Sequence, residues 1–243
     1  MSVSLQLAAF ALADFLMGAS PGDKPFRAVA FLLSLAGHRR VGAPKPVELH
    51  RRIRLMANGL NTVLRTRKGL DYDPLDIIEF NSFDDLLRKR PPGGTVWQDI
   101  LLVTHAGGEQ PAEFAGEIFF GDKSYVVSSG GMNDLLDAIN AKINRVNQFR
   151  ARFDDPSNIT LIGCGVGSTG PDVAIYVREL FGTEGQILFP NKNVDFFPIG
   201  MLGTPKDPEN PRLLRRLTAA DWEIVPRKDD IFNAANPIVP SDF

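Results

Sequence analysis

The chain has 243 residues, of which 44% are hydrophobic, and its formal net charge is -2 at pH 7. This length and composition allow one large domain with a full hydrophobic core. The single cysteine, Cys164, excludes an intramolecular disulfide and any metal cluster held by cysteines, and it favours a reducing, cytoplasmic compartment.

The N-terminal segment, residues 1–25, is predicted to be a helix packed on the core. Residues 2–17 are apolar almost all round, and Asp14 interrupts them, which argues against a signal peptide. No stretch of the sequence reaches the roughly 20 uncharged apolar residues that a membrane helix needs. We therefore expect no membrane contact.

Strands and helices are predicted to alternate through the next part of the chain. An apolar run over residues 26–36 is interpreted as the first strand. Pro46 opens an amphipathic helix, and residues 77–80 form a second short strand. Ser82 is a suitable N-cap for a helix that we expect to reach Arg90.

The later elements are predicted to be a strand, a hairpin, a long helix, a strand, a helix and a strand: residues 99–105, 117–127, 132–153, 159–162, 171–182 and 186–189. This order favours an α/β fold with a mostly parallel central sheet and helices on both faces. We expect residues 26–200 to form this domain. Residues 201–243 are interpreted as an extended tail rich in Pro and Asp, with one helix at 211–217.

Two residues with catalytic chemistry follow neighbouring predicted strands. His105 ends the third strand and Cys164 ends the strand after the hairpin, so both are expected at one edge of the sheet. An imidazole near a thiol stabilises the thiolate or removes its proton during attack. Backbone N–H groups of Gly107 and Cys164 are candidate donors to an oxyanion.

The motifs Leu-Val-Thr-His105-Ala-Gly and Leu-Ile-Gly-Cys164-Gly lie 59 residues apart. Over about residues 26–195 this pattern resembles the caspase-like cysteine peptidases of clan CD, which include caspases, gingipains, legumain, separase, CHAT domains and toxin autoprocessing domains. The Gln-Ala-Cys signature of caspases is absent, so the resemblance is closer to the CHAT and toxin autoprocessing types. It implies a caspase-like fold and hydrolysis of protein or peptide substrates without a cofactor, with His105 as base and Cys164 as nucleophile.

The sequence also departs from this family's pattern. Ala106 stands where the family has a glycine after the histidine, which shifts the expected oxyanion donor to Gly107. Arg39 and Arg40 lie where caspases hold an arginine that binds an acidic substrate residue, whereas Asp195, after the fifth strand, would suit a basic one. Both candidates for substrate binding stay open.

Two other functions remain open on the sequence. One is a catalytically inactive relative that acts as a binding or scaffold protein. The other is nucleotide binding through residues 165–170, which fit G-x-G-x-x-G between a strand and a helix. That motif normally follows the first strand of its fold, and no acidic residue ends the next predicted strand.

Residues 39–68 hold nine Lys or Arg and one acid, Glu48. This basic segment is predicted to lie on the acidic body of the chain, on a partner protein or, less favoured, on nucleic acid. The remaining histidines, His38 and His50, are interpreted as surface residues. No metal site is expected, because the histidines lack the spacing of metal ligands.

Overall fold

A computed structural model describes residues 26–34, 46–107, 116–121, 123–127, 133–163, 172–197, 200, 202–206 and 213–227. The predictions for the N-terminal helix, for Arg39, Arg40 and Cys164, and for the loop 165–170 lie outside these residues.

The strands of the described residues are, in chain order, β1 (Ala28–Leu33), β2 (Leu75–Phe80), β3 (Trp97–Val103), β4 (Ala106–Gly107), β5 (Gly116–Phe120), β6 (Lys123–Val127), β7 (Phe153–Ile162), β8 (Ile187–Pro190), β9 (Asp195–Phe196), β10 (Leu202–Pro205), β11 (Leu214–Arg216) and β12 (Trp222–Val225). The α-helices are α1 (Pro46–Lys68), α2 (Phe83–Leu86), α3 (Asp134–Ala141), α4 (Ile143–Arg150) and α5 (Asp172–Phe181).

The central sheet has six strands in the order β12-β8-β7-β3-β1-β2. Strands β2, β1, β3, β7 and β8 are parallel, and β12 is antiparallel to β8. The predicted α/β class with a mostly parallel sheet is confirmed. The order in which strands are added to the sheet reverses at β1: β2 lies on one side of it, and β3 lies on the other. Open α/β sheets bind ligands at such a switch point, outside the carboxyl ends of the strands.

The core covers both faces of β1. All six residues of this strand are buried, and their side chains alternate between the two faces. Helix α1 packs on β1 and β2. On the opposite face, the ring of Phe31 lies 6.0 Å from that of Phe149 in α4 and 6.1 Å from that of Phe181 in α5.

A second, three-stranded sheet contains β4, β5 and β6, and it confirms the predicted hairpin between β3 and β7. The turn requires Gly121, whose φ of 78° is in the left-handed region. A Cβ atom there would lie 2.0 Å from the backbone oxygen of Asn81. The hairpin therefore packs against the chain after β2 at a point where only glycine fits.

Three sequence predictions are corrected by the structure. The single helix over 132–153 is two helices, because Lys142 between them has φ -123° and ψ 27°. Helix α2 begins after the predicted cap Ser82, whose side chain accepts from Asp85 N, but it ends at Leu86 instead of Arg90. The helix over 211–217 is wrong, because Leu214–Arg216 is a strand.

The C-terminal segment contains more regular structure than the sequence predicts. Strands β9, β10 and β11 form an antiparallel sheet, and β12 extends the central sheet. The described part of residues 201–243 is therefore not an extended tail. No helix among the described residues is both long and apolar enough to cross a membrane.

Candidate active site

A pocket lies at the carboxyl edge of the central sheet, at the switch point. The ends of β1, β3 and β7, the first turns of α1 and strand β9 form its walls, and its volume is about 30 Å³. The lining is Leu33, Leu49, Ile53, Val103, Thr104, His105, Ile162, Gly163, Val194, Asp195 and Phe196. Thr104, His105 and Asp195 supply the polar side chains of this otherwise apolar lining.

His105 lies where the chain leaves the central sheet for the hairpin. The backbone N–H of Thr104 donates to Ile162 O at 2.9 Å, which extends the pairing of β3 with β7 by one residue. One residue later, His105 O accepts from Phe119 N at 2.8 Å. The Thr104 hydroxyl donates to Phe119 O. These bonds fix the backbone on both sides of the imidazole.

The half-buried His105 ring also has an aromatic neighbour. Its centroid is 6.5 Å from that of the Phe119 ring, with an interplanar angle of 82°, which is an edge-on arrangement. Because Phe119 also accepts and donates the bonds that hold this backbone, the position of the imidazole depends on the hairpin.

The β4 register determines where the backbone N–H groups after His105 point. Ala106 lies opposite Ile118, and Gly107 lies opposite Glu117. Antiparallel pairs alternate between hydrogen-bonded and non-bonded pairs, and the bond from Phe119 N to His105 O fixes which pairs are bonded. The N–H of Gly107 is therefore directed into the ladder toward Glu117. The N–H of Ala106 is directed to the opposite side of β4.

This direction corrects the prediction for Gly107. A backbone N–H that is bonded within a ladder is not available to an oxyanion unless the ladder opens. Ala106 has an equivalent N–H at the position where the peptidases that the sequence resembles have glycine. An alanine N–H donates as well as a glycine N–H does, so the substitution alone does not remove the donor.

Asp195 contributes a carboxylate to the same pocket as His105. It is half-buried, and its Oδ1 accepts from Phe196 N at 2.6 Å. Helix α1 fixes this wall, because Arg52 Nη1 donates to Phe196 O at 2.8 Å. The structure thus brings together two of the predicted site residues, His105 and Asp195.

The structure gives only indirect information on the other predicted site residues. Gly163, which is buried and lines the pocket, directly precedes Cys164 in the sequence. Cys164, Arg39 and Arg40 themselves lie outside the described residues. Sequence reasoning missed Thr104, whose hydroxyl anchors the hairpin, although a threonine directly before the histidine was a visible signal.

Basic side chains of helix α1 form ion pairs with acidic side chains of the same chain. Arg51 and Arg52 pair with Glu48 at 2.8 and 3.0 Å, and their hydrogen bonds lower the pKa of Glu48 to about 2. Arg54 and His50 pair with Glu79 of β2 at 3.1 and 3.0 Å. Glu48 belongs to α1 itself, so of these contacts only the pairs with Glu79 join the helix to the rest of the chain.

The fold and the pocket define the chain as an α/β protein with a polar cluster at the switch point of a mostly parallel sheet. No family of known proteins matches the chain, and no curated protein is similar to it. Within the described ranges, no three His, Cys, Asp or Glu side chains gather into a group suited to a metal ion. The functional proposal therefore rests on the residues of this chain.

Proposed function

We propose that the chain is a cysteine peptidase of the caspase-like kind, with His105 as the general base and Cys164 as the nucleophile. One observation carries the proposal: a single pocket is lined by His105 and by Gly163, the residue before Cys164. Strands β3 and β7 are parallel neighbours with Val103 opposite Ile162. Groups that follow such strand ends meet at one edge of the sheet.

The proposed reaction proceeds through an acyl-enzyme. The Cys164 thiolate attacks the peptide carbonyl carbon, a C–S bond forms, and the carbonyl electron pair moves to oxygen. When the C=O bond re-forms, the C–N bond breaks and the protonated His105 gives its proton to the leaving amine. His105 then removes a proton from water, which attacks the thioester and releases the carboxylic acid and the thiolate.

Backbone donors stabilise the oxyanion in this proposal. We assign the N–H groups of Ala106 and Cys164, and no longer that of Gly107, because the ladder with Glu117 engages Gly107. Donors fixed in a strand before the reaction need no reorganisation when charge develops. The ladder between β4 and β5 supplies that rigidity for Ala106.

The charge in the pocket favours a positively charged peptide side chain, because Asp195 supplies an acceptor for the cationic group. The enclosed volume of about 30 Å³ holds about two waters, so only the tip of a Lys or Arg side chain enters. Arg39 and Arg40 favour an acidic side chain instead, and they lie outside the described residues. The described lining therefore supports the basic alternative.

Nucleotide binding is less well supported. The loop 165–170 follows β7, whereas the glycine-rich loop of dinucleotide-binding folds follows the first strand. The residue after β8 is Asn191, and no acidic group ends that strand to bind a ribose. An inactive scaffold protein has the same fold as the proposed peptidase, so only a measurement of reactivity separates these two functions.

The thiol reactivity of Cys164 tests the proposal, because the chain has one cysteine and alkylation therefore reports on that residue alone. A free thiol with a pKa of about 8.5 is roughly 0.3% thiolate at pH 6. We expect iodoacetamide to alkylate the native protein at pH 6 about tenfold or more faster than free cysteine. The rate is followed by intact-protein mass spectrometry.

His105→Gln is the test variant, and His50→Gln is its matched control. Both remove one imidazole, but His50 is a half-buried residue of α1 that pairs with Glu79 of β2. We expect His105→Gln to reduce the alkylation rate to that of a free thiol and to abolish cleavage of a mixed peptide library, with no effect of His50→Gln. Equal rates in the two variants would contradict the peptidase and leave the inactive scaffold.

A further inference from the structure

A groove rich in arginine lies far from the proposed active site. It is lined by Leu87, Arg88, Arg90, Arg145, Gln148 and Arg152. The segments that form it precede the starts of β3 and β7, and the backbone N–H of Trp97 donates to Arg152 O at 2.9 Å there. His105 follows the opposite ends of these strands. Seven residues of β3 separate the two edges, which is about 20 Å at the usual rise of a strand.

Positive charge in the groove exceeds what nearby acids neutralise. The four arginines have Lys89 and Lys142 as basic neighbours, and Lys142 lines an adjoining depression that shares Arg145. Two acids accompany these six cations: Asp84 pairs with Lys142 and Arg145, and Asp85 pairs with Lys89. The excess of four positive charges stands on a chain whose overall net charge is -2.

Arg88, Arg90 and Arg145 are the exposed arginines of this set, and Arg145 pairs with Asp84. Arg88 and Arg90 form no ion pair within the part of the chain that the structure describes. This distinguishes them from the arginines of α1, several of which pair with Glu48 or Glu79. Their guanidinium groups are thus available to a ligand.

Arg152 is held in place at the floor of the groove. Its Nη1 donates to Leu87 O at 2.9 Å and also to Lys89 O. Burial lowers the pKa of Arg152, and the charge of Arg90 lowers it further. The protein therefore holds two like charges close together, an arrangement that an anion between them would stabilise.

We propose that this groove binds a small ligand with two or more phosphate groups. Planar guanidinium forks match phosphate oxygens in bidentate geometry, and four of them line one space. The groove has a volume of about 410 Å³. That size lies within the roughly 300–1,000 Å³ typical of small-ligand sites. The site is independent of the proposed peptidase activity.

Tripolyphosphate is the probe, and its binding to the full chain is measured by isothermal titration calorimetry at low ionic strength. The test variant carries Arg88→Gln and Arg90→Gln, and the matched control carries Arg65→Gln and Arg67→Gln on the exposed side of α1. We expect the test variant to bind about tenfold or more weakly, because it loses two guanidinium groups that form charge-assisted hydrogen bonds with phosphate. The control variant should bind like the native chain.

Three results would overturn the proposal. The first is no measurable heat of binding with the native chain, while circular dichroism shows that it is folded. The second is an equal loss of affinity in both double variants, which would assign binding to overall charge. The third is binding of a single-stranded oligonucleotide in the absence of tripolyphosphate binding, which would assign the groove to a nucleic-acid backbone.

Discussion

Asp99 offers the sharpest test of the physical reasoning about the core. It lies in β3 and is 0% exposed. Its Oδ1 accepts from Asn158 N at 3.1 Å, whereas its Oδ2 is buried and has no hydrogen-bond partner among the described residues. Burial raises the pKa of Asp99 well above its ordinary value, and the bond from Asn158 and the charge of Lys68 offset this only in part.

A raised pKa in the folded state has a defined effect on stability. Below the ordinary pKa of about 4, Asp99 is protonated in both the folded and the unfolded chain. As the pH rises, the unfolded chain releases this proton first, so the free energy of unfolding falls until the pH passes the folded pKa. The slope in this window is about 1.4 kcal/mol per pH unit for one carboxyl group.

The perturbation is Asp99→Asn, which retains the size of the side chain and the acceptor for Asn158 N but cannot ionise. We expect the stability of the variant relative to the native chain to rise with pH at this slope and then to reach a plateau at the folded pKa. At the acidic end of the window the two proteins should differ by only about 1 kcal/mol, because one neutral polar group replaces another.

The assay is urea unfolding, followed by circular dichroism, from pH 4.5 to pH 8 at constant ionic strength. Subtracting the native curve removes the titration of every other group that the two proteins share. Asp71→Asn is the control, since Asp71 is exposed. A difference that stays constant across this range, or one that falls with pH, would refute the assignment of Asp99 as a buried carboxyl group with a raised pKa.

Four further substitutions have defined outcomes. Gly121→Ala should destabilise the chain by about 2 kcal/mol or more, because φ is 78° and the new Cβ meets Asn81 O. Gly59→Ala has open space around it and should stabilise α1 by about 0.5–1 kcal/mol. Thermal unfolding measures both changes. Asp221→Asn should cost about 2 kcal/mol at pH 7, because the amide has one acceptor oxygen and no charge and can keep only one of the two bonds of 2.6 Å from Arg215. The bonds from Arg215 hold the pKa of Asp221 well below its usual range. The stability difference between the native chain and Asp221→Asn in urea unfolding should therefore shrink as the pH falls below about 4. A difference that grows would contradict this role of Asp221. Within the proposed peptidase, Asp195→Asn should lower kcat/KM about tenfold or more for peptides cleaved after Lys or Arg and leave neutral peptides unchanged, and an equal loss for both would remove its role in specificity.

Local patterns in the sequence were sufficient for much of the fold. The apolar run of β1 and the helical period of α1 predict their elements, because burial imposes both patterns. The break at Lys142 has no such signal. Apolar residues such as Ile139 and Val146 are seven positions apart and buried, so the helical period continues across the kink.

The remaining errors arise where tertiary pairing overrides composition. Phe153 is predicted to end a helix, and residues 154–158, Asp-Asp-Pro-Ser-Asn, have the composition of a loop. All six residues instead begin β7, because Phe153 pairs with Trp97 and Asn158 with Asp99 across an irregular register. Strand β12 was missed for a related reason. Its neighbours are rich in Pro and Asp, and its pairing partner β8 is distant in the sequence.

The site was predictable in outline and not in detail. Strand ends and the rule for parallel sheets place His105 at the carboxyl edge, and Asp195 was a candidate because it follows the fifth strand. The direction of the Gly107 N–H depends on its pairing with Glu117. Such a register is a property of two segments together, and neither segment encodes it alone.

Strand β12 also determines where this chain can be shortened. Because the segment after residue 200 is rich in Pro and Asp, its composition alone would suggest that it can be removed from a recombinant version of the protein. That cut would expose the backbone edge of β8, a strand whose four residues are buried, and Arg178 of α5 would lose Pro226 O, to which it donates at 2.8 Å. An uncovered apolar edge pairs with other chains. A version that ends before Trp222 should therefore aggregate. One that ends after residue 227 keeps β12, which covers the edge of β8.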